Sequence, residues 1–64
     1  MKKFKVYAVF KCKNFETAHY DRIDNAKRHY GQLRKKIKLD KKGVVTLYEY
    51  KNNAFELRQQ IELN

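Results

Sequence analysis

Proline is absent from this chain and glycine occurs only twice, at Gly31 and Gly43, so no stretch has the composition of a linker. Sixty-four residues then leave room for one domain, near the lower limit for folding on a single core without disulfides or metal. A lone cysteine, Cys12, excludes an internal disulfide and points to a reducing compartment. No apolar run approaches the ~20 residues of a membrane-spanning helix. Lysines also interrupt the opening MKKFKVYAVFKCK too early for the apolar centre of a signal peptide. A soluble, cytoplasmic protein is the expectation. Acidic side chains are scarce too, seven against sixteen Lys and Arg, for a formal charge of +9. Five Tyr and four Phe are many for so polar a chain and argue against disorder despite that charge.

What is present is patterned. In residues 3–12, KFKVYAVFKC, Phe4, Val6, Ala8, Phe10 and Cys12 share one face, and Lys3, Lys5, Tyr7, Val9 and Lys11 share the other. This period of two marks a half-buried strand, with Cys12 expected as a packed thiol. Lys13 and Asn14 form a turn, and FETAHY, Phe15 to Tyr20, reads as the returning strand of a hairpin. Asp21 or Asp24 can then cap a helix by accepting hydrogen bonds from free backbone N–H groups. Ile23, Ala26, Tyr30, Leu33 and Ile37 recur at spacings of three and four and so share one helical stripe. Leu39 falls on the opposite side, which ends the helix near Lys38. The DKKG segment, with Gly43 free to take a positive φ, closes the connection.

VVTLYEYK, Val44 to Lys51, and AFELRQQIEL, Ala54 to Leu63, read as two further strands around an Asn52-Asn53 turn. The expected fold is α+β, ordered ββαββ: a four-stranded antiparallel sheet with one amphipathic helix on one face, its other face wet. The register of the second hairpin decides what that wet face carries. With an even-numbered connection Tyr50 pairs with Phe55 and Tyr48 with Leu57, the tyrosines turn to the core, and Val45 and Leu47 are exposed. With three connecting residues Leu47 pairs with Leu57, and Tyr48 and Tyr50 turn outward, where bases could stack on them. Val45, Leu47, Tyr48 and Tyr50 are therefore the candidates for a partner surface on this side.

The positive charge is concentrated. Residues 22–42 carry nine basic and two acidic groups, and KRHYGQLRKKIKLDKK, Lys27 to Lys42, holds eight of the sixteen Lys and Arg. At ~100° per residue, Lys27, Arg28, Arg34, Lys35 and Lys38 fall in one outward sector with Gly31 at its centre. A helical glycine costs about 1 kcal/mol relative to alanine. Gly31 therefore either permits close approach by a phosphate or a partner, or is a tolerated weak point of the helix. A merely solvated helix interleaves Glu with Lys, whereas this one has no acidic residue between Asp24 and Asp40. Like charges at that spacing call for an external anion.

Catalytic constellations are missing. Cys12, His19 and His29 lie on three different elements without metal-ligand spacing, and no glycine-rich loop could cradle a nucleotide. Glu49 and Glu56 could face each other across the second hairpin, yet like charges on a wet sheet make a poor acid–base pair. We expect no enzyme, no metal and no cofactor.

The opening MKKFKVYAVFKCKNFETAHY, the helix IDNAKRHYGQLRKKIK after it and the closing VVTLYEYKNNAFEL together resemble the short, Lys-rich open reading frames of phages, prophages and mobile elements in low-GC Gram-positive bacteria. The resemblance spans nearly the whole chain and is carried by structural motifs, so it transfers no functional residue. It implies a small binder of nucleic acid or an inhibitor of host or defence proteins.

The residues themselves point the same way. Lys27, Arg28, Gly31, Arg34, Lys35 and Lys38, with Lys41 and Lys42 after the helix, are the candidate nucleic-acid surface, and Lys3, Lys5, Lys11 and Tyr7 are a candidate extension. Lysine-rich contacts read phosphate with little sequence preference, and only Gln32, Arg28 and Arg34 could reach base edges. An acidic protein surface is the alternative partner. A membrane surface is not expected, because the apolar stripe is needed for the core. A homodimer through a sheet edge or the open face fits so small a sheet.

Overall fold

A computed structural model of the chain describes residues 2–64. The elements are β1 (Phe4–Phe10), β2 (Phe15–Tyr20), α1 (Ile23–Asp40), β3 (Gly43–Lys51) and β4 (Ala54–Leu63). The four strands form one sheet in the order β2-β1-β3-β4, with every neighbouring pair antiparallel. The ββαββ architecture expected from the hydrophobic periods is thus the one observed.

Alternation in β1 sends Phe4, Val6 and Ala8 into the core. The strand stops at Phe10, because a four-residue turn follows in which the Lys13 N–H donates to the Phe10 carbonyl at 2.9 Å and the Phe10 N–H to the Asn14 carbonyl at 2.8 Å. Lys13 takes a left-handed φ of 67° there. Cys12 therefore lies in the turn and is exposed, which corrects its expected place in the packed face: the alternation does not continue to residue 12.

Helix α1 lies over β1 and β3 and buries Ala26, Tyr30, Leu33 and Ile37 against Phe4, Val6, Ala8, Val45 and Leu47. Ile23, the remaining member of the stripe, is half-buried at its start. Neither Asp21 nor Asp24 is the cap. Arg22 holds that position in extended geometry with no side-chain cap bond, and its carbonyl accepts the Ala26 N–H at 3.2 Å. Asp24 instead sits in the first turn, where a carboxylate complements the helix dipole, and Arg22 Nε donates to it at 3.3 Å. The helix runs to Asp40 and ends on Lys41 in left-handed geometry, φ 60°. Gly43 follows at φ +140°, where a Cβ would lie 2.7 Å from the Val9 carbonyl oxygen and 2.8 Å from Ile37 Cγ2. Only glycine fits under the helix end.

Asn52 and Asn53, at φ 54° and 65°, make a two-residue turn with both residues left-handed, the geometry that matches strand twist. The pairs are Tyr50↔Phe55 and Tyr48↔Leu57, as an even connection requires. Yet Val45 and Leu47 are fully buried, and Tyr48 and Tyr50 face away from the helix. Both registers drawn from the sequence keep Phe55 and Leu57 on the core side. The structure does not, because the ladder slips at Leu47/Tyr48: Leu47 pairs with Gln59 and Tyr48 with Leu57, leaving Arg58 as an extra residue on β4. This β-bulge reverses the strand's alternation. Ile61 and Leu63 pack against the core, while Phe55 and Leu57 turn to the open face.

Candidate nucleic-acid interface

The outward side of α1 carries the basic sector. Lys27, Arg28, Arg34, Lys35 and Lys38 are all exposed, and among the described residues none of them makes an ion pair. Gly31, Arg34, Lys35 and Lys38 line a shallow groove of about 330 Å³. The spacings of three and four that put them on one face also bring three cationic side chains around a backbone without a Cβ. The space above Gly31 is open, since a Cβ built there meets nothing within 4 Å. No core packing accounts for this glycine.

The loop lysines separate from this groove. Lys41 caps the helix, whereas Lys42 turns to the end of the sheet and lines a second groove of about 220 Å³ with Val9, Lys11, Lys13 and Glu62. The expected extension does not join the helix surface either. Lys5 and Tyr7 point to the open face of the sheet, on the far side of the molecule, because Phe4, Val6 and Ala8 occupy the side under the helix. Lys3 is exposed just before β1, and its carbonyl accepts the Tyr50 N–H at 2.6 Å.

That open face is aromatic. Phe55 lies 5.2 Å from Tyr50, 6.5 Å from Tyr48 and 6.2 Å from His19, centroid to centroid. Tyr7 lies 6.4 Å from Phe15. The Lys5 ammonium stands 5.5, 5.6 and 6.0 Å from the Phe55, Tyr48 and Tyr7 rings, within cation–π reach. Thr46 is buried beneath the rings, and Gln60 Nε2 donates to its hydroxyl at 3.2 Å. Sequence patterning missed Phe15, His19, Phe55 and Leu57 as surface residues. It also named Val45 and Leu47 as a partner surface, although both are in the core; of that group, only Tyr48 and Tyr50 face outward.

The remaining candidates are accounted for by local structure. Glu49 and Glu56 are cross-strand partners, and Arg58, projecting from the bulge, donates to Glu49 at 2.5 Å and relieves the like-charge pair. His29 ties α1 to the edge strand: its Nε2 lies 2.6 Å from Glu16 Oε2 and its Nδ1 2.8 Å from the Tyr20 hydroxyl. In the tautomer that satisfies both, Nε2–H donates to the carboxylate and the Tyr20 O–H donates to Nδ1. Among the described residues no group of three or more His, Cys, Asp or Glu side chains converges as a metal site. No helix among them is long and apolar enough to cross a membrane. Comparison with protein-family models, curated proteins and solved structures finds no match to the chain.

Proposed function

We propose that the protein is a non-catalytic binding module that holds nucleic acid by its phosphate backbone, using the outer face of α1. The observation that carries this is the groove over Gly31, with Arg34, Lys35 and Lys38 around it and no Cβ to block approach. Lys27 and Arg28 continue the positive surface one turn toward the helix start. Five cations on one face, with no carboxylate between Asp24 and Asp40, repel one another, and phosphate oxygens would remove that repulsion. The small, Lys-rich phage-type proteins that the sequence resembles include binders of this kind alongside inhibitors of host or defence proteins.

An acidic protein surface fits the same charges. The exposed apolar residues Phe15 and Leu57 favour that second reading, in which they would hold a contact that the helix charges steer.

Fluorescence anisotropy of labelled duplex and single-stranded oligonucleotides, from low to physiological salt, tests the proposal. Phosphate contacts give a log–log salt slope of about −0.9 per contact on duplex, so engagement of the whole face predicts roughly −4 to −5. Lys35→Glu should weaken binding across sequences and reduce the slope by about one. Absence of binding at low salt would refute the nucleic-acid reading and turn attention to acidic protein partners.

A further inference from the structure

We propose that the open face of the sheet is a stacking platform for unpaired bases, formed by Tyr7, Phe15, Tyr48, Tyr50 and Phe55 around Lys5. This rests on the reading that the partner is nucleic acid and narrows it to single strands. It also uses the side of the molecule opposite to α1.

The composition of the face selects the occupant. Most of its prominent side chains are rings, with Leu57 beside them: Phe15 is 70% exposed, Leu57 57% and Phe55 40%. Every base has a π-face, so an aromatic floor binds single strands with little sequence preference. A four-stranded sheet bearing such rings stacks roughly two or three bases. Charge argues against a second copy of the chain as the occupant. Lys5 sits among three of the rings, on a central strand. A second copy docked face to face would bring one Lys5 close to the other and desolvate both. A nucleic-acid strand brings phosphates to the same place. The carboxylates are sorted accordingly: Glu16, Glu49 and Glu56 are in register with core-facing positions, so they lie on the helix side. On the open face only Glu62 remains among the described strand residues, and it sits at the far end opposite Val44.

The test uses the intact chain with a labelled oligothymidine and a matched duplex. Phe15→Ala and Phe55→Ala should each weaken oligothymidine binding roughly 5- to 150-fold and leave duplex binding unchanged, and Phe55→Tyr should restore it. Because Phe15 makes little packing, its variant stays interpretable if Phe55→Ala lowers stability, with circular dichroism as the check on folding. Tyrosine emission offers a second readout, since the chain has no tryptophan: oligothymidine should quench it, as three of the five tyrosines lie on this face. Unchanged single-strand affinity in both alanine variants, with loss in Arg34→Glu, would overturn the platform and leave the backbone reading standing. Loss in the alanine variants with no effect of Arg34→Glu would support the platform and refute the helix surface. Failure of every oligonucleotide to bind at low salt would overturn both.

Discussion

Replacing Gly31 by alanine separates two consequences that usually move together. The helix gains the ordinary advantage of alanine over glycine at an interior position, about 1 kcal/mol. Nothing in the fold opposes it, because the new Cβ meets no atom within 4 Å. For a domain of this size that corresponds to a rise in Tm of about 4–8 °C. Binding should move the other way. The methyl group fills the floor of the groove between Arg34, Lys35 and Lys38 and pushes a seated phosphate outward. Weakening one charge-assisted hydrogen bond by about 1 kcal/mol lowers affinity roughly fivefold. Thermal melts followed by circular dichroism, paired with oligonucleotide anisotropy on the same samples, read both effects. A variant that is more stable and binds equally well would show that the glycine serves no ligand and that the basic sector is a solvated face. A less stable variant would refute the account of Gly31 itself.

Other perturbations test the frame that holds the two faces. Gly43→Ala should cost more than about 2 kcal/mol, because its Cβ collides with the Val9 carbonyl and Ile37 at a φ of +140°; a melt within a degree of wild type would contradict this. Asn53→Ala places alanine at φ 65° and should lose about 1 kcal/mol, whereas Asn53→Gly should lose nothing, as urea titrations of the pair would show. Asp24 is held below its ordinary 3.8, since desolvation, which raises it, is outweighed by the Arg22 guanidinium and the N–H groups of Asp24 and Asn25. A lowered folded pKa means stability that is present above the unfolded value and lost as pH falls through the folded one. Asp24→Asn should therefore flatten the stability profile on its acid side, and an unaltered acid limb would refute the assignment. Deleting Arg58 removes the extra residue, so Leu57 and Gln59 become neighbours in a regular ladder, with Phe55 and Leu57 still outside and Ile61 and Leu63 still inside; hydrogen exchange in β4 should keep its protection, and a general loss would refute this register.

The elements were legible because their signals are local. A period of two over Phe4–Phe10 and a three-four spacing from Ile23 to Ile37 each depend on a few neighbouring residues, and both appear in the structure. The basic sector around Gly31 was legible for the same reason, since one rigid helix fixes the relative directions of its side chains. Errors arose where one element had to be placed against another. Cys12 continues the β1 pattern in composition, but the chain has already turned. Lys5 and Tyr7 lie on the far side from the helix by β1's own alternation, so a single surface cannot include them and Lys35. At the helix start, Asp21 and Asp24 both suit a cap, yet the extended residue between them, Arg22, takes the position.

The bulge explains why the open face was the least legible part. Phe55, Leu57, Ile61 and Leu63 all occupy odd positions, so a regular strand would put them on one side and make β4 a wholly apolar-faced edge. One extra residue divides them, sending Ile61 and Leu63 to the core and Phe55 and Leu57 to solvent. Composition gives no warning, because a bulge needs no special residue type when the extra side chain finds a partner, and here Arg58 finds Glu49. The energetic logic is nonetheless visible once the register is known. Tyr48 and Tyr50 have hydroxyls that need partners or water, and in the core they would have displaced Val45 and Leu47, which carry no polar atom. Keeping the aliphatic pair inside and the tyrosines outside avoids that desolvation. Phe55 and Leu57 follow them as cross-strand partners and collect the aromatic side chains on one face. A small domain that only had to fold could have covered this side with Thr, Lys and Glu. Exposing Phe15 and Leu57 instead invites association, and the ammonium of Lys5 beside Tyr7, Tyr48 and Phe55 puts a positive charge on the same face.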